Sequence, residues 1–171
     1  MSTITTPKIA PAGSWSADPV HSNVSFEIAY AGTNTFRGGF HEYSAGLANG
    51  VLEGSAKVAS VDVKDEQLNG HLLSPDFFDA ERFPEITFRT SDLERGELTI
   101  KGVTRPVTIS STVSEPNVDP FGRERVGITL EATVDRNEFG VSWNAPNQGG
   151  GNYLGDDVTI KADLALVRAA D

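Results

Sequence analysis

Apolar and polar residues alternate with a period of two along most of this chain, and each segment keeps its apolar residues on one side. Val24, Phe26, Ile28 and Tyr30 share a face, with Asn23, Ser25 and Glu27 opposite, the pattern of a half-buried β-strand. Phe36, Gly38 and Phe40 continue it after a turn at Gly32-Thr33-Asn34, and Leu52, Gly54, Ala56 and Val58 follow. The period returns in Ile86 and Phe88, in Leu98 and Ile100, in Val107, Ile109 and Val113, and in Val126, Ile128, Leu130, Ala132 and Val134. It is cleanest in Val158, Ile160, Ala162, Leu164 and Leu166, set against Thr159, Lys161 and Asp163. One-sided alternation with breakers between segments predicts antiparallel sheet with a single apolar face. About eight such strands can close on themselves, which removes exposed edges. The fold class expected is therefore all-β, a closed antiparallel eight-stranded β-barrel.

Two neighbouring segments depart from this period. Residues 62–73 offer a helical turn or two, and Ser74-Pro75-Asp76 reads as a helix start, with Ser74 as N-cap, Pro75 in the first position and Asp76 near the positive end of the dipole. That helix ends before Pro84 and carries Phe77, Phe78 and Glu81 across one end of the barrel. Phe77, Phe78, Phe83 and Phe88 crowd into residues 71–88. An aromatic buries about 150–250 Å², and four in water would form a patch that soluble monomers rarely carry, so this segment must cover a core or a cavity. Residues 144–155, with Gly149-Gly150-Gly151, read as a mobile loop. Residues 1–13 read as a flexible tail ahead of one domain over 14–171.

Charge narrows the partners. The chain of 171 residues has a formal net charge of -10, which argues against nucleic acid, whose binders gain affinity from Lys and Arg on phosphates. It also disfavours an anionic membrane surface. There is no cysteine, hence no disulfide, thiolate metal site or thiol nucleophile. The first twelve residues contain one Lys and no continuous apolar run, so no signal or anchor is expected and a cytoplasmic location is.

Several motifs carry a family resemblance. Asp18-Pro19-Val20-His21-Ser22, Phe36-Arg37-Gly38-Gly39-Phe40, His71-Leu72 with Asp76-Phe77-Phe78-Asp79 and Phe83-Pro84, the run from Leu98 to Val107, and Arg136-Asn137-Glu138-Phe139-Gly140 stand in this order. Together they resemble the YceI-like family of polyisoprenoid-binding, lipocalin-like proteins, from about Trp15 to Val167. The chain departs from the pattern at Leu68-Asn69, where relatives commonly have Arg-Asp, so an ion pair there cannot form. The resemblance implies a lipocalin-like barrel with a long apolar ligand threaded inside, and it allows a homodimer, although no strand identifies an interface.

The expected lining is Phe26, Ile28, Phe36, Phe40, Phe77, Phe78, Phe88, Ile100, Val107, Ile128, Leu130 and Trp143, with His71 at the lid and Arg37 and Arg136 at the rim for a head group. Alternation alone does not distinguish a hollow barrel from a filled one, so each lining residue is equally readable as core. Burying ten methylene equivalents of a prenyl chain at ~0.8 kcal/mol each yields ~8 kcal/mol, or micromolar binding before ordering costs. Suitable ligands are a polyisoprenoid, an isoprenoid quinone or a prenyl pyrophosphate. Arg123 and Arg125, or Arg37 and Arg105, are further candidates to meet a pyrophosphate, and a structural salt bridge is the plainer reading of Arg136, set between Asp135 and Glu138.

Catalytic signals are thin. His21, His41 and His71 match no metal-ligand spacing, and Asp156-Asp157 reads as solvated turn rather than a calcium loop. There is no nucleophile elbow, P-loop or H-E-x-x-H motif. A non-enzymatic carrier without cofactor or metal is expected. Two alternatives stay open: an enzyme acting on a lipid with His71 as acid-base group, and a ligand-free barrel filled by its own side chains.

Overall fold

The computed structural model describes residues 10–169; residues 1–9 of the tail expected over 1–13 lie outside them. Ala12 at the end of that stretch is already tied in, because its carbonyl accepts a hydrogen bond from the Trp15 indole at 2.9 Å. The chain runs through β1 (Ser14–Ala17), β2 (Asn23–Tyr30), β3 (Asn34–Phe40), β4 (Tyr43–Ala48), β5 (Val51–Lys57) and β6 (Val61–Asp62). Helix α1 (Glu66–Leu73) follows, then β7 (Glu85–Thr90), β8 (Arg95–Ile100), β9 (Val103–Thr108), β10 (Ser110–Val113) and β11 (Asn117–Val118). The two longest strands, β12 (Glu124–Asp135) and β13 (Leu154–Arg168), complete it, with 3-10 turns at Val58–Ser60 and Arg136–Phe139.

The fold is all-β with antiparallel pairing throughout. β13 is the organising strand. One edge pairs with β12 from Arg125↔Val167 to Asp135↔Asp157, while its other edge pairs first with β2, as in Val158↔Ile28, and then with β1, as in Ala17↔Leu166. From β1 the ladder continues through β4, β5, β7 and β8 to β9, and from β2 through β3 to β6.

The described residues form thirteen strands in one sheet, not eight, and the hydrogen bonding does not close into an unbroken ring. β9 has no ladder to β12; the chain instead passes through Ile109 into β10, which pairs with β12 from Ser110↔Glu131 to Val113↔Ile128. The extra strands arise where a short strand takes over one half of a long neighbour, as β1 and β2 share β13. Alternation reports which face is buried but not where a ladder changes partner.

The helical expectation also shifts. α1 is capped by Asp65, whose side chain accepts from the Gln67 amide, and Ser74 is its C-cap rather than an N-cap. Ser74 Oγ donates to the His71 carbonyl at 2.6 Å, so the hydroxyl closes the preceding helix, and residues 75–82 form turns instead of a second helix. The loop at 144–155 is pinned: Asn144 donates to the Leu154 carbonyl and accepts from the Leu154 amide, both at 2.9 Å. Asp156 and Asp157, expected in a turn, lie within β13.

The interior is filled at one end. Trp15, Leu47, Leu52, Val126, Ile128 and Leu166 are all 4% exposed or less, and the pairs Trp15↔Leu47 and Val126↔Leu166 bring them together. Each aliphatic side chain in this plug contributes roughly 1.5–3 kcal/mol by leaving water. The opposite end is covered by α1 and the turns after it.

Candidate functional site

Beneath α1 and the following turns lies a cavity of about 440 Å³, within the roughly 300–1,000 Å³ of ordinary small-molecule sites. Its walls come from β2, β3, β5, β7, β8, β12 and β13, from the turn after β12 and from the covering segment. They are apolar apart from Ser25, Tyr30, Asn34 and Arg136. A second, narrower space of about 120 Å³ shares the walls Val24, Ala56, Ile86, Leu98 and Ile160 with it and extends toward Phe88, Val107 and Leu130.

The cover is built by hydrogen bonds that fold the chain back on the end of α1. The Phe77 amide donates to the Ser74 carbonyl at 3.0 Å, and the Phe78 amide to the Leu72 carbonyl at 2.9 Å. This turn aims both phenyl rings at the cavity, where Leu68 and Leu72 of α1 join them. Lys101, in the β8–β9 turn, clamps the cover by donating to the Pro75 carbonyl at 2.8 Å and the Gly140 carbonyl at 3.2 Å. Outside it, His71 stands between two aromatic rings, with centroids 4.9 Å from Phe77 and 4.8 Å from Trp143, both edge to face. Its Nε2 lies 3.0 Å from Asp76 Oδ2.

The expected residues divide by position. Phe26, Ile28, Phe36, Phe40, Phe77, Phe78 and Ile100 line the main cavity, while Phe88, Val107 and Leu130 line the narrower space. Ile128 does neither: it is fully buried in the plug, opposite Val113 on β10 and Leu164 on β13. His71 and Trp143 belong to the outer face of the cover. Arg37 is exposed on β3 and pairs with Glu27 at 3.6 Å, away from the wall. Arg105 donates to the Glu138 carbonyl at 3.4 Å, and Arg125 is held by Asp119 and Asp18 at 2.7 and 3.1 Å.

Val24, Leu98, Val134, Val158 and Ile160 also line the cavity without having been singled out. They share the apolar face of strands whose alternation was clear, and that pattern was the available signal.

Arg136 differs from its expected place. It is 5% exposed, and among the described residues no carboxylate forms an ion pair with it. Its Nε donates to the Gly155 carbonyl at 2.8 Å, and Nη1 to the Val141 and Trp143 carbonyls at 2.7 and 2.9 Å. Nη2 is the one buried side-chain nitrogen or oxygen without a partner among the described residues. Leaving such a donor unsatisfied costs about 1–3 kcal/mol, more for a charged group. Burial lowers the Arg136 pKa and the nearby Asp156 and Asp135 charges oppose this; a guanidinium remains charged regardless.

The three histidines stay apart, each beside its own carboxylate: His21 with Asp18 at 2.7 Å, His41 with Asp62 at 2.8 Å and His71 with Asp76. Among the described residues no group of three His, Asp or Glu side chains is placed to hold a metal ion. No helix there is long and apolar enough to cross a membrane.

Residues 15–166 match the sequence profile of the YceI-like domain. A UPF0312 protein of Staphylococcus aureus (strain USA300) is 29% identical over 157 residues, covering 85% of this chain and 92% of the relative. Among solved structures, Burkholderia cenocepacia BcnA superposes with a TM-score of 0.71 at 24% identity, covering 90% of this chain and 99% of its own. A domain from Saccharophagus degradans described as polyisoprenoid binding, implicated in plant cell wall breakdown, gives a TM-score of 0.71 at 12% identity, over 91% and 98% of the two chains. At these identities the structural likeness establishes the fold.

Proposed function

This chain belongs to the YceI-like family, and from that premise we propose that it binds a long-chain apolar molecule of the polyisoprenoid type inside the sheet, to carry or sequester it. The observation that carries this reading is the apolar cavity of about 440 Å³ beneath the Phe77 and Phe78 cover. The narrower space beyond it supports a ligand that is long and thin rather than round, with the tail running toward Phe88 and Val107. In this reading the curled sheet acts as a barrel whose wall turns the corner at Ile109. A wall with so few polar groups favours burial of a chain over chemistry upon it. The polyisoprenoid binding ascribed to the Saccharophagus domain supports the ligand class. Polyisoprenoids, isoprenoid quinones and prenyl pyrophosphates all supply the required chain.

Mass spectrometry of an organic-solvent extract tests the proposal, using natively purified protein and an Ile28→Trp variant whose indole fills the cavity. A prenyl lipid recovered from the wild type and missing from the variant supports it. Extracts without lipid, together with failure of added prenyl alcohols to bind the wild type, would remove it.

A further inference from the structure

Resting on that reading, we propose that Arg136 receives an oxyanion at one end of the ligand, so that the chain lies with its charged end beneath Trp143 and its tail toward Phe88. Arg136 belongs to the cavity wall, and its guanidinium is fixed rather than searching. Three hydrogen bonds to the Gly155, Val141 and Trp143 carbonyls hold its plane and leave Nη2 as the unpartnered corner. A side chain held in this way loses little further freedom when a ligand arrives.

The charge of the ligand end follows from what touches the guanidinium. All three of its partners are neutral carbonyls, and no carboxylate reaches it among the described residues. Asp135 and Asp156 favour the charged guanidinium only from a distance, and each accepts instead from Asn137 Nδ2 at 2.9 Å. A buried cation without a contact anion is completed best by an anionic acceptor, because charge-assisted hydrogen bonds are roughly twice as strong as neutral ones. The remaining wall is apolar, which suits a molecule with a single charged end. Carboxylate and phosphate share this chemistry.

The test is a set of matched pairs titrated into delipidated full-length protein: hexadecanoate against its methyl ester, and farnesyl monophosphate against farnesol. In at least one pair the anion is expected to bind about tenfold more tightly than its neutral partner, the scale of one charge-assisted hydrogen bond. The pair showing the advantage identifies the source of the oxyanion as fatty acid or prenyl phosphate. In Arg136→Gln the ratio of anion to neutral affinity within that pair is expected to fall to about one, whatever the change in overall affinity. If that variant does not fold, the wild-type pairs alone decide. Equal binding within both pairs overturns the assignment of Arg136 and leaves the apolar site standing; no binding by any of the four removes both.

Discussion

Phe26 on β2 and Gly38 on β3 face each other across the ladder, and the ring lies so close that a Cβ added at Gly38 would come within 2.5 Å of it. The absence of a side chain at Gly38 is what lets Phe26 lie along the wall instead of standing into the cavity. Val63 would be met at 2.7 Å by the same Cβ. Gly38→Ala is therefore expected to cost about 1–3 kcal/mol, the usual range for overpacking, and to displace Phe26 enough to weaken chain binding. Urea denaturation and a prenyl alcohol titration measure the two effects; a variant unchanged in both contradicts this packing.

Two isoleucines on the strands that flank β13 should respond oppositely. Ile128, fully buried in the plug, loses about 2–5 kcal/mol as Ile128→Ala, by transfer and cavity terms together, without altering ligand affinity. Ile28, on the cavity wall, loses under about 1.5 kcal/mol as Ile28→Ala, because its neighbours are not packed at core density, yet binds the chain less well. Denaturant midpoints paired with titrations separate the two, and equal stability losses would show that the cavity is filled in solution.

Acid should act through the Asp18, Asp119 and Arg125 network. Hydrogen bonding from His21 chiefly, with Val20 and Arg125, holds the Asp18 carboxyl down at about 2, and Arg125 lowers Asp119 as well. A folded pKa below the unfolded one gives stability that is present above about pH 4 and lost as pH falls toward the folded value. Melting temperature should thus fall between about pH 4 and 2, and more gently in the Asp18→Asn/Asp119→Asn double variant. Parallel pH curves would place the acid sensitivity elsewhere.

Lys101→Met removes two hydrogen bonds that clamp the cover to the wall. Each is worth about 0.5–1.5 kcal/mol, so the melting temperature should drop by a few degrees while release of bound chain accelerates by about tenfold. Stopped-flow displacement reads the release rate; slow release unchanged by the substitution would mean that the cover opens along another contact.

The sheet was legible because burial on one face writes a period of two, as Val158, Ile160 and Leu164 show. The division between cavity and plug was not, since Ile128 and Leu130 occupy successive inward positions and differ only in how far along the interior they sit. Ser74 followed by proline satisfies the rules for a helix start, and the competing use of its hydroxyl, closing α1 on the His71 carbonyl, depends on the helix before it. The sequence points to Arg136 as a rim residue, whereas its side chain is buried. Nothing in its neighbours along the chain foretells that carbonyls from Val141, Trp143 and Gly155 converge on it.

The missing ladder between β9 and β12 gives the wall a seam. Among the described residues no ladder joins the two strands there, and the side chain of Arg105 on β9 instead reaches the Glu138 carbonyl in the 3-10 turn just past β12. Compliance is thus concentrated on one line while the β12–β13 ladder stays rigid. Amide protons flanking the seam are therefore expected to exchange before those of β13.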